Sequence, residues 1–116
     1  MEVIGRKSGK VISFPIVLAV VVGERYVVSM LGKDANWVKN ARAANWEAHI
    51  VSGKRTKVRL EEVPVDQRAP ILKEYLQHAP GARPHFPIDK DASLADFEKI
   101  VEEFPAFRII PLEART

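Results

Sequence analysis

The chain has 116 residues, 47% of them apolar and 28% charged, the balance of one ordinary globular domain rather than of a disordered or fibrous protein. Its net charge of +3 is unevenly placed: residues 1–60 carry 11 Lys and Arg against 4 Asp and Glu, and the remainder 7 against 11, so the front half suits an anionic partner. With no cysteine, disulfides, thiol catalysis and cysteine-ligated metals are excluded, and the scattered His49, His78 and His85 give no metal site.

Glu2–Gly5 reads as the end of a strand and Arg6–Lys10 as a polar turn. Val11–Val22 is β-branched and aliphatic, with Pro15 inside it, which predicts a strand bent there or lying at an edge. Gly23-Glu24 reads as a tight turn and Arg25–Leu31 as the returning strand. Asn36–Asn45 has helical spacing in Trp37, Val38, Ala41 and Ala44, with Asp34 as N-cap and Asn45 as stop. Glu47–Ser52 and Arg55–Val63 form a second hairpin about Gly53-Lys54. In the latter strand Lys57, Arg59 and Glu61 alternate with Val58 and Leu60, a half-exposed antiparallel pattern. Asp66 is the expected cap of a helix with Ala69, Leu72, Tyr75 and Leu76 on its apolar face, ending at His78-Ala79-Pro80. Gly81–Pro87 is a loop. Ser93 caps a last helix carrying Leu94, Phe97, Ile100 and Val101, which Pro105 ends, and Phe107–Leu112 is the closing strand. Hairpins dominate and no βαβ alternation occurs. The fold class is therefore mainly β with outer helices, a six-stranded antiparallel barrel with three helices packed outside, in a single domain over residues 1–116.

No apolar run reaches the roughly 20 residues of a membrane span; the longest, Ile16–Val22, is strand-sized. Arg6 and Lys7 are followed by polar residues rather than an apolar stretch, so no signal peptide is expected and the compartment is the cytoplasm. Peripheral contact with an anionic membrane surface stays compatible with the charge.

Two segments carry chemistry. Gly5-Arg6-Lys7-Ser8-Gly9-Lys10 gathers three cations, a hydroxyl and backbone N–H groups, which together can hold phosphate or carboxylate oxygens. A solvated hairpin turn is the plainer reading, and Walker-loop spacing is absent. Asn36-Trp37-Val38-Lys39-Asn40-Ala41-Arg42 opens a helix whose N-terminus offers free N–H groups and a positive dipole end. For Trp37 alone, core packing is the plainer reading.

Taken together, Gly5-Arg6-Lys7-Ser8-Gly9, Pro15-Ile16, the strand Tyr26–Ser29 and the helix with Trp37, Asn40, Arg42-Ala43 and Asn45 resemble the deazaflavin-dependent nitroreductase family, over about Gly5 to Val63. The resemblance implies a split β-barrel of the flavin-binding reductase kind and use of coenzyme F-420, an 8-hydroxy-5-deazaflavin with a polyanionic tail, with FMN as the runner-up. It places Arg6, Lys7, Ser8 and Gly9, with Lys10 beside them, on tail oxygens. It places Ser29, Met30, Leu31 and Gly32 beside the ring, and Asn36, Trp37, Asn40 and Arg42 along the cofactor groove. It also implies a homodimer. Members usually carry an arginine where this chain has Val11-Ile12-Ser13, and a longer loop where it has Met30-Leu31-Gly32-Lys33. They also have a helical segment before the first strand, so this chain reads as a minimal or N-terminally shortened member.

The resulting expectation is an oxidoreductase passing hydride from reduced F-420 to an electron-poor small molecule such as a quinone, an enone or a nitro compound. In that reaction the protein orients the ring, excludes water and offers a hydrogen bond to developing charge, for which Ser29 or a backbone N–H near Gly32 is the candidate. The alternative is a protein of the same fold that binds F-420, flavin, haem or a fatty acid without turnover. Nucleic-acid binding is disfavoured, since Trp37 and Trp46 are the only aromatics near the basic residues and both read as core. Glu61-Glu62 and Glu102-Glu103 read as solvated charge. Tyr75, His78 and His85 are candidates for a substrate pocket. His85-Phe86-Pro87 reads as a surface loop or, more sharply, a rigid lid.

Overall fold

A computed structural model describes residues 1–112. Seven strands form one antiparallel sheet: β1 (Glu2–Ile4), β2 (Val11–Ser13), β3 (Ala19–Val21), β4 (Glu24–Val28), β5 (Glu47–Ser52), β6 (Lys54–Glu62) and β7 (Ala106–Pro111). Their order across the sheet is β2-β1-β5-β6-β7-β4-β3. Three helices accompany them: α1 (Asn36–Ala43), α2 (Ala69–His78) and α3 (Leu94–Glu98). Short 3-10 helices at Val65–Gln67 and Pro80–His85 flank α2.

The count is seven strands rather than six because Val11–Val22 does not run through. Phe14–Leu18 leaves strand conformation around Pro15, and the two fragments end up on opposite edges of the sheet. Proline lacks the N–H a ladder needs, so the break falls where the chain can do without pairing. β2 and β3 do not pair with each other, so no closed barrel forms. The sheet is nonetheless strongly curled. Flat, seven strands would set the edges roughly 29 Å apart, whereas the six Cα steps from Ser13 to Ala19 reach at most about 22 Å.

Register confirms the hairpins. Glu47 to Ser52 pair with Arg59 to Lys54, and Ala19 to Val21 with Tyr26 to Glu24. The β3–β4 turn sits one residue earlier than expected, on Val22-Gly23, both with positive φ (50° and 78°). That is the mirror-image turn whose twist matches a hairpin.

The core divides into two clusters. One lies between α2, α3 and the β3–β4 side, around Leu72, Leu76, Phe97, Phe104 and Ala106. The other lies between α1 and the concave face of the remaining strands, around Val3, Val38, Val58, Leu60 and Phe107. Arg68 is buried between elements of the first. Its guanidinium donates to the Val63 carbonyl (2.7 Å), the Val101 carbonyl (2.8 Å) and Glu62 (2.8 Å). A buried guanidinium is tolerable only with its donors engaged in this way.

Three helix boundaries differ from the sequence reading. Ala35, not Asp34, is the N-cap of α1, and no side chain caps it. Pro64 and Asp66 belong to a separate 3-10 turn, so Arg68 precedes α2. The last helix keeps its Ser93 cap, whose hydroxyl accepts from Asp96 N–H, but ends at Glu98. Beyond it, i to i+3 bonds from Lys99, Ile100 and Glu103 tighten the chain toward Pro105.

Candidate functional site

A cavity of about 690 Å³ opens at the seam between the two clusters, within the size range of cofactor pockets. Four stretches build it. The Phe14–Val17 connection between the sheet edges forms one wall. Val28, Met30 and Leu31 at the exit of β4 form the next. Ala35, Asn36 and Trp37 at the start of α1 form the third, and Tyr75, Ala79 and Pro80–Ala82 on the helical side the fourth. The lining is overwhelmingly apolar, as the residue types dictate. Small residues at 79, 81 and 82 leave the space, since the methyl or hydrogen there replaces a side chain that would fill it.

Trp37 is half-buried at the cavity wall and belongs to an aromatic run. Its ring lies 6.0 Å from Phe14 and 5.6 Å, edge-on, from Phe107, an arrangement that fixes its orientation. No side chain caps α1, and its first residues, Ala35 to Trp37, border the same opening, so the positive end of the helix dipole lies beside it.

The basic turn stands beside this cavity, not in it. Gly5 N–H bonds to the Lys10 carbonyl and Gly9 N–H to the Gly5 carbonyl, both at 2.8 Å, and Ser8 Oγ accepts from Lys10 N–H at 3.2 Å. Arg6 is tied to α1: its backbone N–H (3.1 Å) and guanidinium (2.7 Å) both donate to Asn40 Oδ1. Asn40 lies one helical turn beyond Asn36 on the same face, so the link sets Arg6 about one turn away from the cavity mouth. Lys7, Ser8, Gly9 and Lys10 are exposed.

The residues singled out in sequence thus separate into groups. Met30, Leu31, Asn36 and Trp37 line the cavity. Arg6 and Asn40 hold the basic turn against α1. Arg42 lies over the Trp46 ring, 5.4 Å from its centroid. Ser29 is fully buried, and its hydroxyl donates to the Gly32 carbonyl at 2.5 Å; it does not line the cavity. Neither does Gly32, whose φ of 94° and a would-be Cβ 3.4 Å from the Glu103 carbonyl give it a backbone role. His78 pairs with Glu74 on the surface, and His85 is exposed. The lid reading of His85-Phe86-Pro87 gives way, because Phe86 is buried and stacked on Phe104 at 4.0 Å. Trp46, read as core, is half-buried, packed on Phe107 at 5.2 Å.

Tyr75 is the pocket candidate that the structure brings to the cavity. It is 5% exposed, and its hydroxyl has no hydrogen-bond partner among the described residues. Burial alone pushes its phenol above the usual range, since the phenolate would lose its hydration. Phe14, Ile16, Val17 and Ala79 were given no site role in sequence, although Pro15-Ile16 is part of the resemblance. Their only signal is an apolar run broken by Pro15, and a helix end rich in small residues.

These features fit a flat, largely apolar ring with an anionic extension. Pro15, Met30 and Trp37 line the cavity, and Arg6, Lys7 and Lys10 carry positive charge on the neighbouring turn. Among the described residues no cluster of His, Asp or Glu could hold a metal, and no helix is long and apolar enough to cross a membrane. No family model matches the chain, and no curated protein matches it in sequence. Among solved structures, the chain is similar to a candidate 5-nitroimidazole antibiotic resistance protein from Bacteroides thetaiotaomicron. The TM-score is 0.60 at 9% identity, over 97% of this chain and 70% of the other. At that identity the likeness concerns the fold alone.

Proposed function

We propose that this chain is an oxidoreductase that binds reduced coenzyme F-420 and reduces an electron-poor small molecule, a quinone, an enone or a nitro compound. The observation that carries the reading is the pairing of the apolar seam cavity with a cationic turn anchored one helical turn away through Arg6 and Asn40. When bound, the deazaflavin would supply hydride from its C5. The chain's own part is to orient and to desolvate: Trp37, Met30 and the Phe14–Val17 wall exclude water, and Arg6 and Lys7 hold the tail. Ser29 is given no part, because its one proton is spent on Gly32.

The deciding experiment titrates F-420 and FMN in parallel, read by fluorescence of the bound cofactor. F-420 is expected to bind more tightly, and added salt to weaken it. Replacing Arg6 and Lys7 together by alanine should cost about 2–4 kcal/mol of binding. Binding of neither cofactor overturns the reading. The committed hydroxyl of Ser29 favours one second reading, a protein that binds the cofactor without turnover. Binding of F-420 with no oxidation by quinone, enone or nitro acceptors would establish it. The homodimer is also retained as a proposal, because Val20 on the unpaired edge of β3 is exposed; sedimentation tests it.

A further inference from the structure

The α2 side of the cavity holds a polar group that neither the fold nor the proposed cofactor contacts use. Tyr75 is buried on α2, yet no described residue bonds its hydroxyl. No sealed side-chain polar atom in the described structure lacks a partner. The Tyr75 hydroxyl is therefore open to something, and the space its residue lines is the seam cavity. Ala79 lines the cavity one helical turn further on, so nothing bulky screens the phenol from that side. Asn36 is the other polar amide or hydroxyl side chain on the wall, and it is exposed at the mouth. The cavity thus has an apolar body and, on an otherwise buried tyrosine, one accessible hydroxyl.

A buried phenol of this kind bonds water when the site is empty. A ligand that expels that water without offering an acceptor leaves the hydroxyl orphaned, which carries a penalty. A ligand with an oxygen at that point replaces the lost bond. A site built this way discriminates by the missing acceptor far better than by shape.

We propose that Tyr75 is the substrate-contacting hydrogen-bond donor of this cavity, selecting flat acceptors that carry a carbonyl, quinone or nitro oxygen at the end facing α2. The inference deepens the oxidoreductase reading and rests on it for the word substrate. A phenol is protonated at neutral pH, and burial moves its titration further up, so it stays a donor. As hydride reaches the acceptor carbon framework, negative charge gathers on that oxygen, and the phenol's bond strengthens with it.

The test compares two probes of one shape, 2-methyl-1,4-naphthoquinone and 2-methylnaphthalene, against the wild-type chain and Tyr75→Phe. Binding is read from the NMR signal of the Met30 methyl, which lines the same cavity, with and without oxidised F-420. The variant should bind the naphthoquinone roughly 3- to 10-fold more weakly relative to the hydrocarbon, whose own binding should hold or tighten because no hydroxyl is left orphaned. In the wild type, the ring Cζ resonance of Tyr75 should lie further downfield with the naphthoquinone bound than with the hydrocarbon bound, a readout that needs no variant to fold. Equal losses for both probes, or the same Cζ resonance with either bound, overturn the proposal. F-420 affinity should be the same in both proteins. If F-420 binds neither while the naphthoquinone difference persists, the oxidoreductase reading falls and the role of Tyr75 as the oxygen-selecting donor stands.

Discussion

The two core clusters solve different problems. The one under α2 and α3 is closed away from the seam: Leu72, Leu76 and Phe97 have no exposure, Phe86 stacks on Phe104, and Arg68 engages its donors on the Val63 and Val101 carbonyls and the Glu62 carboxylate. The one under α1 is left unfinished at its rim. Its aromatic run from Phe14 through Trp37 and Phe107 to Trp46 begins and ends on half-buried rings. The cavity lies where the finished cluster meets the unfinished one. A single continuous core would have had no reason to leave such a gap, since packing favours filling it. Two cores meeting edge to edge leave it with each still well packed.

This contrast can be broken most forcefully in the closed cluster. Phe97→Ala should cost about 3–5 kcal/mol of stability, measured by urea unfolding, while leaving cofactor affinity per folded molecule unchanged. An equal loss of affinity would mean that the two clusters are not separable. In the unfinished cluster the balance should reverse. Trp37→Ala should weaken ring binding by roughly 1.5–3 kcal/mol, the value of one large apolar contact, and cost less stability than Phe97→Ala. Gly32 joins the two sides. Gly32→Ala should lose about 1–2 kcal/mol of stability because of its left-handed backbone, with cofactor binding retained in the folded fraction. At the hairpin tip beside the closed cluster, Val22 holds a φ of 50° while 97% exposed. Val22→Asn should therefore raise stability by about 0.5–1 kcal/mol, seen as a higher unfolding midpoint with no change in binding.

Much of the architecture was legible because period and punctuation agree in this chain. The alternation of Lys57, Val58, Arg59, Leu60 and Glu61 could serve only a half-exposed strand, and the pairing with β5 follows from the Gly53 turn. The Ser93 cap was equally plain. What sequence could not show was the fate of Val11–Val22. Pro15 announces a bend, but a bend within one strand and a jump between opposite sheet edges look the same locally, and only the strand order tells them apart. Arg68 was silent for a similar reason: its acceptors are the carbonyls of Val63 and Val101 and the Glu62 carboxylate, which no spacing rule brings together. Of the candidate site, Met30, Leu31, Asn36 and Trp37 were reached through a resemblance, and Tyr75 only as one of three aromatic candidates. The Phe14–Val17 wall was missed because an apolar run beside a strand reads as more strand.

That wall has a consequence for the girth of the molecule. Four of the five residues that bridge β2 and β3 also line the cavity, so the bridge acts as the short span of a hoop whose long span is the seven-stranded sheet. Lengthening the bridge would let the hoop relax and widen the gap; shortening the bridge would draw it closed. The size of guest this scaffold accepts can therefore be tuned through the length of one connection, without altering the strands and helices that supply its other walls.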